Sequence, residues 1–248
     1  GGGSGVGYWV GERGGGGGWR GWRGGAGRQG GVRARVGEQA GAGRAEGMIA
    51  LLLFARGGAG EATQRAAARL ELGDGDERWQ REAQMARGVS LVWGPTPVEE
   101  AIVGLQAQID RAHGDKRVTG AYRGISRLLV LQGRFAEARE LIARARAAAQ
   151  DLGDRIQIAD CFGEEGGIEH QAGNLSEAAR LTREAYEAMI AIGDRSFAST
   201  YAAVYGEVLL DLEEGDEAWR FGTIARETSS TDDVMSQAVG RAVQARVL

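Results

Sequence analysis

A 40-residue internal repeat in the C-terminal half constrains this chain more than any other feature. Glu137-Ala138, Glu177-Ala178 and Glu217-Ala218 recur at that spacing, as do Leu141, Leu181 and Phe221, and Ala145, Ala185 and Ala225. Twelve residues before each of the first alanines stands a small residue: Ser126, Gly166 or Gly206. A fixed period of this length means a stack of similar supersecondary units, each packed on its neighbours. The expected fold is therefore all-α, an α-solenoid of antiparallel helix pairs. Such arrays usually bind other molecules rather than transform them.

The joints between units set the parse. Gly114-Asp115, Gly153-Asp154 and Gly193-Asp194 each end one hairpin and open the next. Glycine suits the left-handed residue just past a helix C-terminus, and aspartate suits the N-cap that follows. Inside the hairpins Gly133 and Gly173 mark the inner turn, with Glu213 in their place in the last one. The only two prolines fall in Gly94-Pro95-Thr96-Pro97, which must be a turn, with Pro97 opening the next helix. These signals predict a helical repeat domain over 76–248, with hairpins at about 76–112, 117–151, 155–191 and 195–229 and a final helix over 232–248. No stretch alternates with the period of a strand.

Ahead of the array lie two other regions. Residues 1–47 hold 21 of the 43 glycines. Few side chains there can offset the entropy of ordering them, so this leader is expected to be disordered. Its Arg-Gly-Gly runs near Trp9, Trp19 and Trp22 are similar to RNA-binding tails, in which guanidinium and aromatic faces stack on bases. A compositionally biased leader without function is favoured over that alternative. Residues 48–75 are expected to be a transition with short helices.

Charge and cysteine usage narrow the function. The formal net charge is −4, which provides no basic field to attract nucleic acid or an anionic membrane. No apolar run approaches the roughly 20 residues that span a bilayer. Cys161 is the only cysteine, so no internal disulfide can form, and a cytoplasmic location is expected. The first residue is Gly rather than Met, and the last residues fall within an apolar helical pattern, as in a fragment of a longer protein.

Catalytic constellations are missing from the sequence. Lys116, the only lysine, lies in Asp115-Lys116-Arg117, whereas a P-loop needs Lys followed by Ser or Thr. Glu164, Glu165, Glu169 and His170 share one helix and are read as a solvated acidic face rather than a metal site, with His113 far away in sequence. Arg134, Arg139, Arg144 and Arg146 interleave with Glu137 and Glu140 and are read as an exposed face with pairs inside the helix. Cys161 reads as a packed thiol, and Trp93 and Trp219 as packing residues. No cofactor and no metal are expected.

The repeat positions resemble those of tetratricopeptide repeats. Tyr122 before Ser126 and Phe162 before Gly166 match the bulky and small residues of the motif's first helix. Ala138, Leu141 and Ala145 match its second helix, as do their counterparts at 178, 181 and 185 and at 218, 221 and 225. The segment from Leu91 through Trp93-Gly94-Pro95-Thr96-Pro97 to Ala101 resembles the helical tails of large bacterial signalling ATPases, which join a nucleotide-cyclase domain, an AAA-type ATPase domain and a tetratricopeptide tail. A related layout occurs in bacterial transcriptional activators. The resemblance implies a non-catalytic protein-interaction scaffold, its catalytic domains lying outside this chain. The alternative is a chain called an adenylate or guanylate cyclase, or an ATP-binding regulator, by descent. It implies a groove lined by the first helices of the hairpins, with Arg123, Arg127, Asp160, Gly163, Gly167, His170, Thr200, Ala203, Glu207 and Asp211 facing it. The implied partner is a protein, a peptide or another domain of the same parent, with no membrane and with nucleic acid disfavoured.

Overall fold

The structure is a computed structural model that describes residues 84, 87–112, 118–231 and 233–248. The expectations for the 1–47 leader, for 48–75, for the Gly114-Asp115 joint and for His113 and Lys116 lie outside these residues. Among the described residues there is no strand. Helical residues 87–93 lead through the bend at 94–96 into α1 (Val98–Arg111). Then follow α2 (Thr119–Leu131), α3 (Phe135–Leu152), α4 (Arg155–Gln171), α5 (Leu175–Ile192), α6 (Arg195–Asp211), α7 (Gly215–Thr228) and α8 (Val234–Val247). Each helix packs on the next, and α2 also meets α4 as α6 meets α8. The chain is thus a tetratricopeptide-like solenoid of antiparallel pairs. The first helices of the pairs (α2, α4, α6 and then α8) form one layer, and the second helices (α3, α5, α7) the other.

The repeated small residues mark where the two layers touch. Ala138, Ala178 and Ala218 are fully buried, as are Ala145, Ala185 and Ala225. Ser126 on α2 donates its hydroxyl to the Ala138 carbonyl at 2.9 Å. A Cβ on Gly166 would stand 3.3 Å from the Ala178 carbonyl oxygen and 2.6 Å from Thr182 Cγ2, and one on Gly206 would stand 3.5 Å from the Ala218 carbonyl oxygen. The period therefore reports helix-to-helix contact: a larger side chain on either helix would push the pair apart.

Local chemistry ends and restarts the helices as the joints require. Asp154, Asp194 and Asp233 cap α4, α6 and α8, each accepting from the N–H three residues on. Pro97 sits at the N-cap of α1, one residue ahead of the position expected for it. Gly153 and Gly193 adopt left-handed φ of 66° and 87° past α3 and α5. The inner turns do the same at Gly133 and Gly173, and there Glu213 takes φ 63° as the one non-glycine in that region among the described residues. An L-residue in this conformation brings its Cβ against the following carbonyl, at about 1–2 kcal/mol. Glu213→Gly should therefore stabilise the chain by about 0.5–1 kcal/mol after the added freedom of the unfolded chain is subtracted. Urea unfolding measures this, and an unchanged or lowered midpoint would refute the strain.

Candidate functional site

The first-helix layer carries the polar chemistry of the chain, and most of it is spent joining one hairpin to the next. Arg123 on α2 donates from Nη1 to Asp160 Oδ2 on α4 at 2.8 Å and to Gln157 Oε1 at 3.0 Å. Tyr201 on α6 donates its hydroxyl to the other oxygen, Asp160 Oδ1, at 2.8 Å. Asp160 is 2% exposed, so one carboxylate ties three successive first helices together from the interior. Burial raises the Asp160 carboxyl above the usual carboxylate range, opposed by Arg123 and by the Tyr201 hydrogen bond. Burial and then Asp160 push the Tyr201 phenol well above its ordinary value, which keeps it a neutral donor. Tyr201 fits because α4 has Gly163 beneath its ring.

Beside this triad, Arg127 holds Glu164 with its Nε and Nη2 at 2.9–3.2 Å, and its guanidinium lies 4.3 Å from the centroid of the Trp93 ring. Burial alone would raise the Glu164 carboxyl, but Arg127 and Arg123 hold it below its ordinary value. Arg139 and Arg146 on α3 reach Glu169 and Glu165 on α4 at 2.6 and 2.7 Å. The acidic residues of α4 are therefore not a solvated face: each carboxylate is partly buried and bonded by an arginine of the preceding hairpin. Arg139 and Arg146 likewise do not pair within their own helix, although Arg134 does pair with Glu137.

Further along the layer the polar groups are more open. His170 Nε2 lies 2.7 Å from Asp211 Oδ2 on α6, and Arg246 on α8 donates to Asp211 Oδ1 at 3.0 Å. Thr200 lies 3.3 Å from the Ser236 hydroxyl on α8. Glu207 is half-buried among His170, Asp211 and Arg246 and has no hydrogen bond or ion pair to any described residue. Burial pushes its carboxyl up, against the pull of His170 and Arg246. Gly167 occupies the same register on α4, and nothing stands within 4 Å of where its Cβ would be.

The residues expected along the groove thus divide. Asp160, Gly163 and Ala203 are buried between helices, and Arg123 is engaged with Asp160. Arg127, Gly167, His170, Thr200, Glu207 and Asp211 retain exposure. Sequence reading missed Gln157, Glu164, Tyr201 and Arg246 as members of the layer. The available signal was the glycine excess in α4, at Gly163, Gly166 and Gly167, which asks what fills the space. Cys161 is buried and its thiol is pushed up to about 12, chiefly by burial, so it is a packed side chain and not a nucleophile. Among the described residues no group of three potential metal ligands converges.

No family model matches this chain, and no curated protein matches it significantly. Solved structures do. PlcR of Bacillus thuringiensis, in complex with the peptide PapR7 and DNA, is 14% identical with a TM-score of 0.67, covering 82% of this chain and 74% of that one. A thermophilic tetratricopeptide protein of Thermus thermophilus is 17% identical with a TM-score of 0.63, covering 81% and 98%. A signal-transduction ATPase with numerous domains and a tetratricopeptide-repeat sensor, from Pyrococcus horikoshii, is 14% identical with a TM-score of 0.56, covering 83% of this chain and 33% of that one. At these identities the likeness is one of fold.

Proposed function

We propose that the chain is a non-catalytic protein-interaction scaffold whose first-helix layer receives a peptide segment beside Gly167, His170, Glu207 and Asp211. The observation that carries the reading is Glu207. It is half-buried and makes no hydrogen bond or ion pair to a described residue, one turn beyond Ala203 on its own helix and in the register position of Gly167 on α4, where nothing stands within 4 Å of where a Cβ would be. A lysine or arginine side chain of the incoming segment would fill that space and form a charge-assisted hydrogen bond. Arg123, Arg127 and Asp160 then serve as the braced end of the same surface. The peptide in the PlcR complex supports a peptide as the ligand class.

Selection of random displayed peptides on the immobilised chain tests the proposal. Enriched peptides should carry a central Lys or Arg, and Glu207→Lys should weaken them at least about tenfold with helicity unchanged. Enrichment indifferent to Glu207, or magnesium-dependent turnover of ATP or GTP by the purified chain, would overturn it. The tetratricopeptide sensor of the Pyrococcus horikoshii ATPase supports a finer reading, in which this array is the cytoplasmic tail of a multidomain signalling ATPase, including the type that carries a cyclase domain. A reading frame encoding neither domain together with this array would rule that out.

A further inference from the structure

Four side chains of the first-helix layer form one charged cluster: His170 of α4, Glu207 and Asp211 of α6, and Arg246 of α8. His170 and then Arg246 hold the Asp211 carboxyl below its ordinary value, so it is ionised and accepts from both. His170 Nε2 therefore carries the hydrogen of the 2.7 Å contact. The neutral ring keeps its lone pair on Nδ1, and a second proton there adds a charge without breaking the contact. With the ring neutral, two carboxylates face one guanidinium, and one negative charge is unmatched. With the ring protonated, the cluster is neutral. The other charged groups packed on α4 are engaged elsewhere. Arg123 and Arg127 of α2 bond Asp160 and Glu164, and Arg139 and Arg146 of α3 bond Glu169 and Glu165. On α5, Arg180 and Glu184 act on Glu165, and Glu177 acts on Glu169.

We propose that a proton on His170 and a cationic side chain of a bound peptide compete for the one unmatched charge of this cluster, so that acidification releases the peptide. The inference rests on the reading that such a side chain engages Glu207, and it adds the regulation of that site. An imidazole changes charge between about pH 5 and 8, where a guanidinium does not. Each cation that enters beside Glu207 then disfavours the protonated ring, and each proton taken up by the ring disfavours the cation. The two effects are equal, because one coupling free energy sets both.

Protonation of Glu207 would also weaken binding in acid, so the readout is taken on the imidazole itself. The imidazole resonances of the full chain are followed by NMR through a pH titration, with and without a blocked heptapeptide of alanine with lysine at its centre, added at millimolar concentration. His113→Gln assigns the signals, since it leaves His170 as the only imidazole. The lysine peptide should lower the His170 midpoint by at least about half a pH unit, and the same peptide with norleucine in place of lysine should leave it where it is. Reciprocally, the lysine peptide should bind at least about threefold more weakly at about pH 5.5 than at about pH 8. Binding at about pH 8 with the midpoint unmoved or raised, or an equal shift with norleucine, would overturn the inference and leave the peptide reading standing. No binding of the lysine peptide at either pH would overturn that reading and this inference with it.

Discussion

Asp160→Asn should unfold this chain more readily than any other isosteric change in its polar layer, lowering stability by about 3–5 kcal/mol. The carboxylate is 2% exposed and accepts from Arg123 on one hairpin and Tyr201 on another. An amide of the same shape keeps the Tyr201 bond but leaves a buried guanidinium with Glu164, 3.5 Å away and already shared with Arg127, as its remaining counter-charge. Tyr201→Phe removes only a neutral donor and should cost about 1–3 kcal/mol. Guanidinium unfolding of the two variants gives the comparison. Asp160→Asn within about 1 kcal/mol of the parent would mean that the triad does not hold the stack.

The second large effect is expected at Gly163. A Cβ there would lie 2.0 Å from Tyr201 Cε1 and 2.6 Å from its Cζ, inside any contact distance. The ring cannot swing away without giving up its hydroxyl bond to Asp160. Gly163→Ala should therefore cost about 2–4 kcal/mol, combining overpacking with an unmade buried hydrogen bond and less the gain in helix propensity. Gly167→Ala, four residues on in the same helix with open space at its Cβ, should instead stabilise by about 0.5–1 kcal/mol. In a Tyr201→Ala background the cost of Gly163→Ala should vanish, because the clashing ring is gone. Thermal midpoints of the set decide it, and the same sign for both glycines would show that Tyr201 does not lie on Gly163.

What the sequence makes legible is the part of the fold that is encoded locally or by the period. The Gly-Asp joints announce themselves because a left-handed residue and a cap are properties of adjacent residues, as Gly153-Asp154 and Gly193-Asp194 show. Ala178 and Gly166 are legible because the period repeats their contact. The polar layer is not legible in that way, because its partners do not repeat. Arg123, Gly163 and Ala203 occupy one register position on three successive helices and do three different things. Arg139 and Arg146 look like partners of Glu137 and Glu140, since spacing within a helix is all that a sequence displays. Their real partners, Glu169 and Glu165, lie in the next hairpin and become neighbours only when the helices stack.

Two seams of the stack differ in their polar fastening, and this sets how each answers to salt. Between α2/α3 and α4 the apolar core that joins Ile142 and Ala145 to Cys161 and Ile168 is flanked by ion pairs, with Arg127, Arg139 and Arg146 partly open to solvent. Between α5 and α6 the fastening rests on Met189, Ala198 and Tyr201 packed together. Dissolved salt screens exposed pairs and leaves apolar contacts in place. Raised ionic strength should therefore weaken the polar flank of the first seam and leave the apolar packing of both in place.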